Sequence, residues 1–300
     1  MSKINIWLQA FRLRTLPLAL SSILMGSLLA VSHGYFDTAI FLLGVLTTIF
    51  LQILSNLAND YGDAKSGIDG MDRKGPSRTV QAGLIEKQEM KRMLYVFVVL
   101  SLISGISLIV LALGDQWMKG LMFFILGLGA IAAAINYTVG KSPYGYSGWG
   151  DLFVLMFFGF VGVLGSYFLL SGQLTPWLIL PAISTGLFSV AVLNLNNIRD
   201  IESDRKNGKF SIPVRLGRTR AVIYHYLLLV LGMVSAITYV IFEGTAWYSW
   251  AFLLVVPLLI VNARAVSVKK EASDLDPYLK QMAISTLFFV LLFGFGQVQF

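Results

Sequence analysis

Nine apolar segments, each long enough to cross a membrane, determine what this chain can fold into. A helix needs about 20 residues to span roughly 30 Å of hydrocarbon, and runs of that order recur along the sequence. They lie at 14–32, 37–58, 93–113, 120–139, 151–171, 176–198, 220–242, 246–264 and 281–298. The sequence therefore predicts an all-α polytopic membrane protein with nine transmembrane helices.

The composition agrees with this prediction and excludes several functional classes. Hydrophobic residues make up 56% of the chain and charged residues 13%, with a mean hydropathy of +0.74, whereas soluble domains carry about 25% charged residues. The absence of cysteine excludes disulfides, thiolate catalysis and Cys-ligated metals. His33 and His225 are far apart and lack ligand-like neighbours. The net charge of +7 comes from bases in loops between spans, so nucleic acid is not an expected partner.

Basic residues fall on one side of the predicted bundle, with Lys119 the single exception among 23. Because short cytoplasmic loops accumulate Lys and Arg, the N-terminus is expected in the cytoplasm and the C-terminus outside. The first 30 residues resemble a signal peptide but lack a clear small-residue cleavage site, so we interpret them as a retained helix. Trp7 and Phe11, close to Arg12 and Arg14, suit a short interfacial helix before the first membrane span.

Two polar motifs end apolar runs in the two halves of the chain: NLANDYGDAKSGID, Asn56 to Asp69, and NLNNIRDIESD, Asn194 to Asp204. In each motif an amide and a carboxylate lie four residues apart and so share one helical face. The pairs are Asn59 with Asp63 and Asn196 with Asp200, and Asp204 repeats the step. Hard divalent cations prefer such oxygens, and magnesium is usually held by a few carboxylates plus the phosphates of its substrate.

Solvated carboxylates at helix ends are the simpler interpretation of these motifs. Against it, Asn56 and Asn194 lie in the last turns of apolar helices, where polar groups are expensive and usually functional. A carboxylate at a helix C-terminus also opposes the helix dipole and needs a compensating cation. We therefore favour a site for a metal and a diphosphate.

The two motifs also align with each other. Asn59-Asp60-x-x-Asp63 matches Asn196-Asn197-x-x-Asp200, with four spans between them. We expect one transmembrane domain over 1–300 with an internal duplication, about 14–139 and 151–264, plus a ninth helix at 281–298.

Basic residues surround both motifs. They are Lys65, Arg73, Lys74, Arg78, Lys206 and Lys209. Most fit the positive-inside pattern, but some are expected to bind phosphate, because Arg is a fork-shaped donor and Lys a mobile point charge. Arg78 and Lys209 are the main candidates, since each lies in a Gly- and Pro-containing loop that suits a cap over the site.

Two further features have alternative interpretations. The segment NYTVGKSPYGYSGWGD is either an aromatic belt at the interface or a wall for an aromatic acceptor, in which Tyr137 and Lys141 act on the departing phosphate. The glycines Gly127, Gly129, Gly159, Gly162 and Gly165 suit close helix packing, with a groove for a long lipid chain as the alternative.

The chain resembles the UbiA superfamily of intramembrane aromatic prenyltransferases, and within it the 1,4-dihydroxy-2-naphthoate branch of menaquinone synthesis. The strings that carry the resemblance are NLANDYGDAKSGID with DRKGPSRTVQAG, and LNNIRDIESDRKNGKFSIPVRLG. The resemblance implies a helical bundle around a central cavity, open sideways to lipid and capped by the loops that follow the motifs.

Residue roles follow from the resemblance. It implies that Mg²⁺ is bound by Asp60, Asp63, Asp69, Asp200 and Asp204. It implies that the diphosphate is bound by Asn59, Lys65, Arg73, Lys74, Arg78, Asn197 and Lys209. The catalytic set is Asp63, Asp200, Arg78, Tyr137 and Lys141. The superfamily pattern places an acid where this chain has Gly67, and Asp69 substitutes for it as in the naphthoate branch.

The implied reaction transfers a polyprenyl group from polyprenyl diphosphate to 1,4-dihydroxy-2-naphthoate. Carbon dioxide and diphosphate leave, giving a demethylmenaquinone at the cytoplasmic face of the bacterial inner membrane. One alternative is another aromatic acceptor, such as 4-hydroxybenzoate or homogentisate. A secondary transporter is the alternative from another class, but its ionisable site is expected near the bilayer midplane, whereas these acids gather at helix ends.

Overall fold

The structure is a computed structural model that describes residues 2–66, 78–243 and 246–298. Every regular element in those residues is helical. Nine helical segments in the described ranges are long and apolar enough to cross a membrane, which confirms the predicted number of spans. They are Lys3–Ser32, Thr38–Lys65, Lys87–Leu113, Trp117–Asn136, Gly150–Ser171, Pro176–Arg199, Ile212–Glu243, Trp247–Val268 and Ala272–Gln297.

The α-helices are labelled in chain order. They are α1 Lys3–Phe11, α2 Leu16–Ser32, α3 Thr38–Ser66, α4 Lys87–Leu113, α5 Trp117–Asn136, α6 Gly150–Val154, α7 Gly165–Ser171, α8 Ile179–Arg199, α9 Ile201–Lys206, α10 Ile212–Glu243, α11 Val256–Val268 and α12 Ala272–Gln297. A π-helical segment, Leu155–Leu164, joins α6 to α7, and a 3₁₀ segment, Trp247–Val255, leads into α11. The short helix α1 lies where an interfacial helix is predicted, and its position at the membrane interface stays a prediction.

Three helices begin earlier than the apolar runs indicate. α4 begins at Lys87 rather than 93, α10 at Ile212 rather than 220, and α12 at Ala272 rather than 281. An apolar run marks only the part of a helix that lipid or core surrounds, whereas the helical hydrogen-bond pattern continues into polar sequence. In α10 this extension includes a kink at Gly217, whose φ of 74° is accessible to glycine at little cost.

Close packing of the π-helical segment against α8 and α2 depends on glycine. A Cβ on Gly159 would lie 2.7 Å from the carbonyl oxygen of Ala182, and one on Gly162 would lie 2.6 Å from Ser22 Cβ. The predicted packing role is therefore confirmed for these two glycines. It is wrong for Gly127 and Gly129, because a Cβ at either position meets no atom within 4 Å.

Two hydrophobic clusters form the interior. The larger includes Leu29 of α2 and Phe188 of α8, with Phe289 of α12. The smaller joins α1, α3 and α4 and includes Leu54 and Phe97. Helices of both clusters line one large cavity. The two motifs lie at the C-terminal ends of α3 and α8. The internal duplication stays a prediction.

Candidate active site

A cavity of about 620 Å³ lies inside the helical bundle. Its walls come from α2, α3, α4, α5, α8, α12 and the segment from α6 to α7. Polar residues line it where α3, α5 and α8 end and where α2 and α12 begin. They include Arg14, Asn59, Asp63, Arg78, Asn196, Arg199, Lys209 and Asp276. The rest of the wall is mainly apolar, so the cavity joins a charged end to a long hydrophobic part.

The first motif is held in place by Arg78 and Thr79. Thr79 donates to Asp60 Oδ2 twice, from its backbone nitrogen at 3.0 Å and from its hydroxyl at 2.6 Å. Arg78 forms an ion pair with Asp63 and donates to the backbone carbonyl of Asn59. Asp60 and Asp63 are both buried, so they require these polar partners.

The second motif has its own cationic partner in Arg199, the last residue of α8. The guanidinium of Arg199 binds both carboxylate oxygens of Asp200 at 2.8 Å and Asp276 of α12 at 2.7 Å. It also donates to the Asn196 side chain at 2.9 Å. Arg14 lies 3.7 Å from the other oxygen of Asp276. A chain of alternating charges therefore connects the ends of α2, α8 and α12.

Asp204, in α9, forms an ion pair with Lys209 at 3.0 Å. Burial raises the pKa of Asp204 above its usual range although Lys209 lowers it, and the charges of Asp200 and Asp63 add to the rise. Carboxylates of the two motifs are therefore near enough to repel one another.

The turn Tyr144–Ser147 connects the two motifs. The phenol of Tyr146 donates to Asp63, and its backbone carbonyl accepts from the nitrogen of Phe210 at 2.8 Å. Phe210 directly follows Lys209, the partner of Asp204. Because Asp63, Arg199 and Lys209 also line one cavity, the two motifs converge there.

Tyr137 lies near charged side chains of both motifs. It lines the cavity, and its pKa is raised by burial and by the carboxylates of Asp151, Asp204 and Asp63, while Arg78 opposes the rise. The phenol is therefore protonated at neutral pH and available as a hydrogen-bond donor.

Several predicted site residues lie together and others do not. Those that line the cavity are Asn59, Asp63, Arg78, Tyr137 and Lys209. The buried residues Asp60, Asn197, Asp200 and Asp204 do not line it. Lys65 and Lys141 are exposed and do not line it. Asp69, Arg73 and Lys74 lie outside the described residues, as does Gly67, so their roles stay predictions.

Sequence reasoning missed three residues that the structure brings to this site. Arg199 falls among the loop bases of the positive-inside pattern, Tyr146 lies in the segment interpreted as either an aromatic belt or an acceptor wall, and no sequence pattern indicates Asp276. No spacing rule connects Tyr146 to Asp63, which is 83 positions away. The only available signal was that Arg199 directly precedes an acid of the motif.

These features define a class of protein, an intramembrane enzyme whose cavity combines paired acids and bases at one end with a hydrophobic channel for a lipid substrate. The chain belongs to the UbiA prenyltransferase family, whose model matches residues 19–292.

Relatives and solved structures agree with this assignment. The chain is 46% identical to the 1,4-dihydroxy-2-naphthoate octaprenyltransferase of Escherichia coli (strain K12), covering 98% of this chain and 96% of that one. A UbiA homologue from Aeropyrum pernix K1 superposes with a TM-score of 0.69 at 17% identity, covering 99% and 98% of the two chains. A UbiA homologue from Archaeoglobus fulgidus bound to GPP and Mg²⁺ gives a TM-score of 0.62 at 19% identity, covering 99% of each. At these identities the two structures support the fold, and the predicted helical bundle is confirmed.

Proposed function

We propose that this enzyme transfers a polyprenyl group from polyprenyl diphosphate to 1,4-dihydroxy-2-naphthoate, releasing carbon dioxide and diphosphate and forming a demethylmenaquinol, the hydroquinone form of a demethylmenaquinone. The naphthoate acceptor follows the relative from E. coli, at 46% identity over nearly the whole of both chains.

One observation carries the proposal: a single cavity with a charged end built by both motifs and an apolar remainder. A polyprenyl diphosphate has the same division into a charged head and a hydrophobic tail. A transporter site is instead expected near the middle of the spans, whereas the acids of this cavity gather at helix ends.

The acidic residues fit a magnesium ion that a substrate brings with it. The described residues contain no group of three acidic or histidine side chains arranged to hold a metal. Magnesium, however, commonly takes only one or two carboxylates with substrate phosphates. Among the described residues, Asp60 Oδ1 and Asn197 Oδ1 are buried oxygens without a hydrogen-bond partner, which suits a hard cation. Asp60, Asp63, Asp200 and Asp204 would hold it, and bound magnesium would neutralise charge on the diphosphate.

The bases of the site would bind the diphosphate oxygens directly. Arg78, Arg199 and Lys209 all line the polar end, and each already neutralises a motif carboxylate. A guanidinium has five donors, so Arg78 and Arg199 are able to bind phosphate while keeping their carboxylate contacts.

The chemistry needs no protein nucleophile. The allylic carbon–oxygen bond breaks with its electron pair going to the diphosphate, which the bases stabilise. The electron-rich ring carbon then supplies the pair for the new carbon–carbon bond. The ring carboxylate leaves as carbon dioxide, and its bonding electrons restore the aromatic ring. The apolar wall keeps water from the allylic cation, which hydrolysis would otherwise consume.

The enzyme is expected in the bacterial inner membrane with this polar end at the cytoplasmic side. The distribution of basic residues supports that orientation. Cysteine accessibility tests it: a cysteine at exposed Lys141 should react with an impermeant thiol reagent only in inside-out vesicles. The chain's lack of native cysteine makes that label specific.

The function is tested by incubating the purified enzyme with a polyprenyl diphosphate and each candidate acceptor, with and without Mg²⁺. We expect prenylated product from the naphthoate, none from 4-hydroxybenzoate or homogentisate, and loss of product with a chelator. Asp63→Asn and Asp200→Asn should each abolish transfer while the protein remains extractable and folded.

Asp37→Asn is the matched control. Asp37 is exposed and caps the opposite end of α3, accepting from the Ile40 nitrogen at 2.9 Å, and asparagine caps equally well. This variant should keep full activity. Full activity in Asp63→Asn or Asp200→Asn would contradict the site assignment, and product from a benzoate acceptor alone would contradict the proposed substrate.

A further inference from the structure

The residues of α5 that face the cavity have unusually small side chains in the half of the helix nearest the polar end. One helical face of α5 lines the space, because its residues recur at intervals of three and four. They are Phe123, Leu126, Gly127, Ala130, Ala133 and Ala134. From Gly127 to the end of the helix this face has no side chain larger than a methyl group, and before Gly127 it becomes bulky.

Gly127 differs from the glycines that pack helices together. A Cβ at this position would meet no atom within 4 Å, although the residue lines the cavity. Its missing side chain therefore leaves room inside the cavity and relieves no contact between helices. Helix propensity does not explain it, since glycine in a helix interior is less favourable than alanine by about 1 kcal/mol.

The cavity wall also carries a buried polar group on α2. Ser22 of α2 lines the same cavity and is only 3% exposed. Its hydroxyl has no hydrogen-bond partner in the described parts of the chain. A buried hydroxyl without a partner is costly, and the packing of the described helices does not explain it.

The position of Gly127 along the cavity corresponds to a particular tail length. Gly127 lies ten residues before Tyr137, which is about 15 Å along the helix axis. Each isoprene unit adds four main-chain bonds of about 1.5 Å, or roughly 5 Å when extended. A tail of two units whose diphosphate lies at the polar end would stop short of Gly127, and a tail of four or more would pass it.

The cavity continues beyond this position. Its lining reaches Ile40 and Phe41 at the far end of α3, and Leu170 at the far end of α7. A long tail therefore has space on the other side of Gly127, and this glycine lies on the path between the two parts.

On the basis of the proposed function, we infer that Gly127 is a specificity-determining residue for the length of the prenyl donor. Its lack of a side chain keeps open the path that the third and later isoprene units take. A larger residue there narrows the path without displacing any helix.

Gly129 provides a matched control. It lies on the same helix two residues away, is exposed, has no atom within 4 Å of an added Cβ, and does not line the cavity. Gly127→Leu and Gly129→Leu make the same chemical change in the same helix, one facing the cavity and the other facing outward.

The experiment measures kcat/KM of the purified enzyme for donors of two and of eight isoprene units with one acceptor. We expect Gly127→Leu to retain the two-unit activity of the wild type and to lose about tenfold or more with the eight-unit donor, the scale of discrimination that pocket shape provides. Gly127→Ala should show a smaller loss in the same direction, and Gly129→Leu should match the wild type with both donors.

Competition between the two donors in one reaction gives a product ratio that does not depend on how much of a variant is folded. An unchanged ratio in Gly127→Leu and Gly127→Ala, or the same change in Gly129→Leu, would overturn the inference. A wild-type enzyme that prenylates no acceptor with either donor would instead overturn the proposed function.

Discussion

The phenol of Tyr146 donates a hydrogen bond to the carboxylate of Asp63, and the backbone of the same tyrosine accepts one from Phe210. One residue thus joins the acid of the first motif to the loop that carries Lys209 and follows the second. The two halves of the candidate site depend on a turn that belongs to neither motif.

Tyr146→Phe should therefore lower activity without unfolding the enzyme. The ring keeps its packing, while Asp63 loses the donor that orients it beside Arg78. Removing such a supporting hydrogen bond typically costs about 10- to 100-fold in metal affinity or activity. The assay is kcat and KM for the prenyl donor across a magnesium titration.

Tyr226→Phe is the control for this variant, because Tyr226 lies on α10 and is 40% exposed. It should behave as the wild type does. Normal magnesium dependence and rate in Tyr146→Phe would show that Asp63 does not need the phenol.

Arg199 is expected to be the most sensitive charged residue for stability. Its side chain is 2% exposed and pairs with Asp200 and Asp276. Arg199→Met would leave the buried carboxylate of Asp200 without this cation, and breaking a buried pair in this way costs about 3 to 5 kcal/mol. Thermal unfolding in detergent measures the loss.

The exposed pair between Arg205 and Glu202 supplies the comparison. These side chains are 52% and 81% exposed, so Arg205→Met should cost less than about 1 kcal/mol. Equal destabilisation by the two substitutions would mean that burial of the Arg199 pair has no energetic importance.

The sequence predicted the membrane spans well because long apolar runs have a direct physical cause. It predicted helix starts less well at α10 and α12, since helical hydrogen bonding continues into polar sequence that hydropathy does not detect. Asp276 was missed for this reason, as it lies in the polar first turns of α12.

The spacing of the first motif places Asn59 and Asp63 together at the cavity, and the Gly- and Pro-containing loop indicates Arg78. Asn56 and Asn194, the amides that favoured a site over solvated carboxylates, have structural partners instead. Asn56 binds the chain between α1 and α2, and Asn194 donates to the Ala221 carbonyl at 3.2 Å. Neither lines the cavity. A buried amide is expensive whether it binds substrate or another helix, so cost alone does not distinguish the two roles.

Gly26 should tolerate no side chain. A Cβ there would overlap the Val163 backbone carbonyl and the Ser166 hydroxyl, and a backbone atom in a packed helix has little freedom to move. Gly26→Ala is expected to destabilise the enzyme by about 1 to 3 kcal/mol. Gly129→Ala, with open space around its Cβ, should be neutral or stabilise by up to about 1 kcal/mol. The measurement is the midpoint of thermal unfolding for both variants, and a smaller loss in Gly26→Ala than in Gly129→Ala would contradict the packing described for α2.

Asn56 positions bases at the polar end without lining the cavity itself. Its side-chain nitrogen donates to the Phe11 carbonyl and the Thr15 hydroxyl, each at 2.9 Å. Between them, Arg12 has a left-handed backbone with φ 49°, which is costly for a residue with a Cβ. These hydrogen bonds therefore hold the junction that directs Arg12 and Arg14 to the cavity.

Asn56→Ala should release this junction, costing about 1 to 3 kcal/mol for the unsatisfied buried groups and raising KM more than it lowers kcat. The reason is that Arg12 and Arg14, which line the polar end, would move away from the proposed diphosphate site, while Asp63 and Arg78 remain in place. Asn5→Ala makes the same truncation on the exposed side of α1 and should change neither parameter. Steady-state kinetics for donor and acceptor, with unfolding measured on the same samples, tests both variants. A drop in kcat at constant KM would show instead that Asn56 supports the reacting groups rather than the substrate-binding bases.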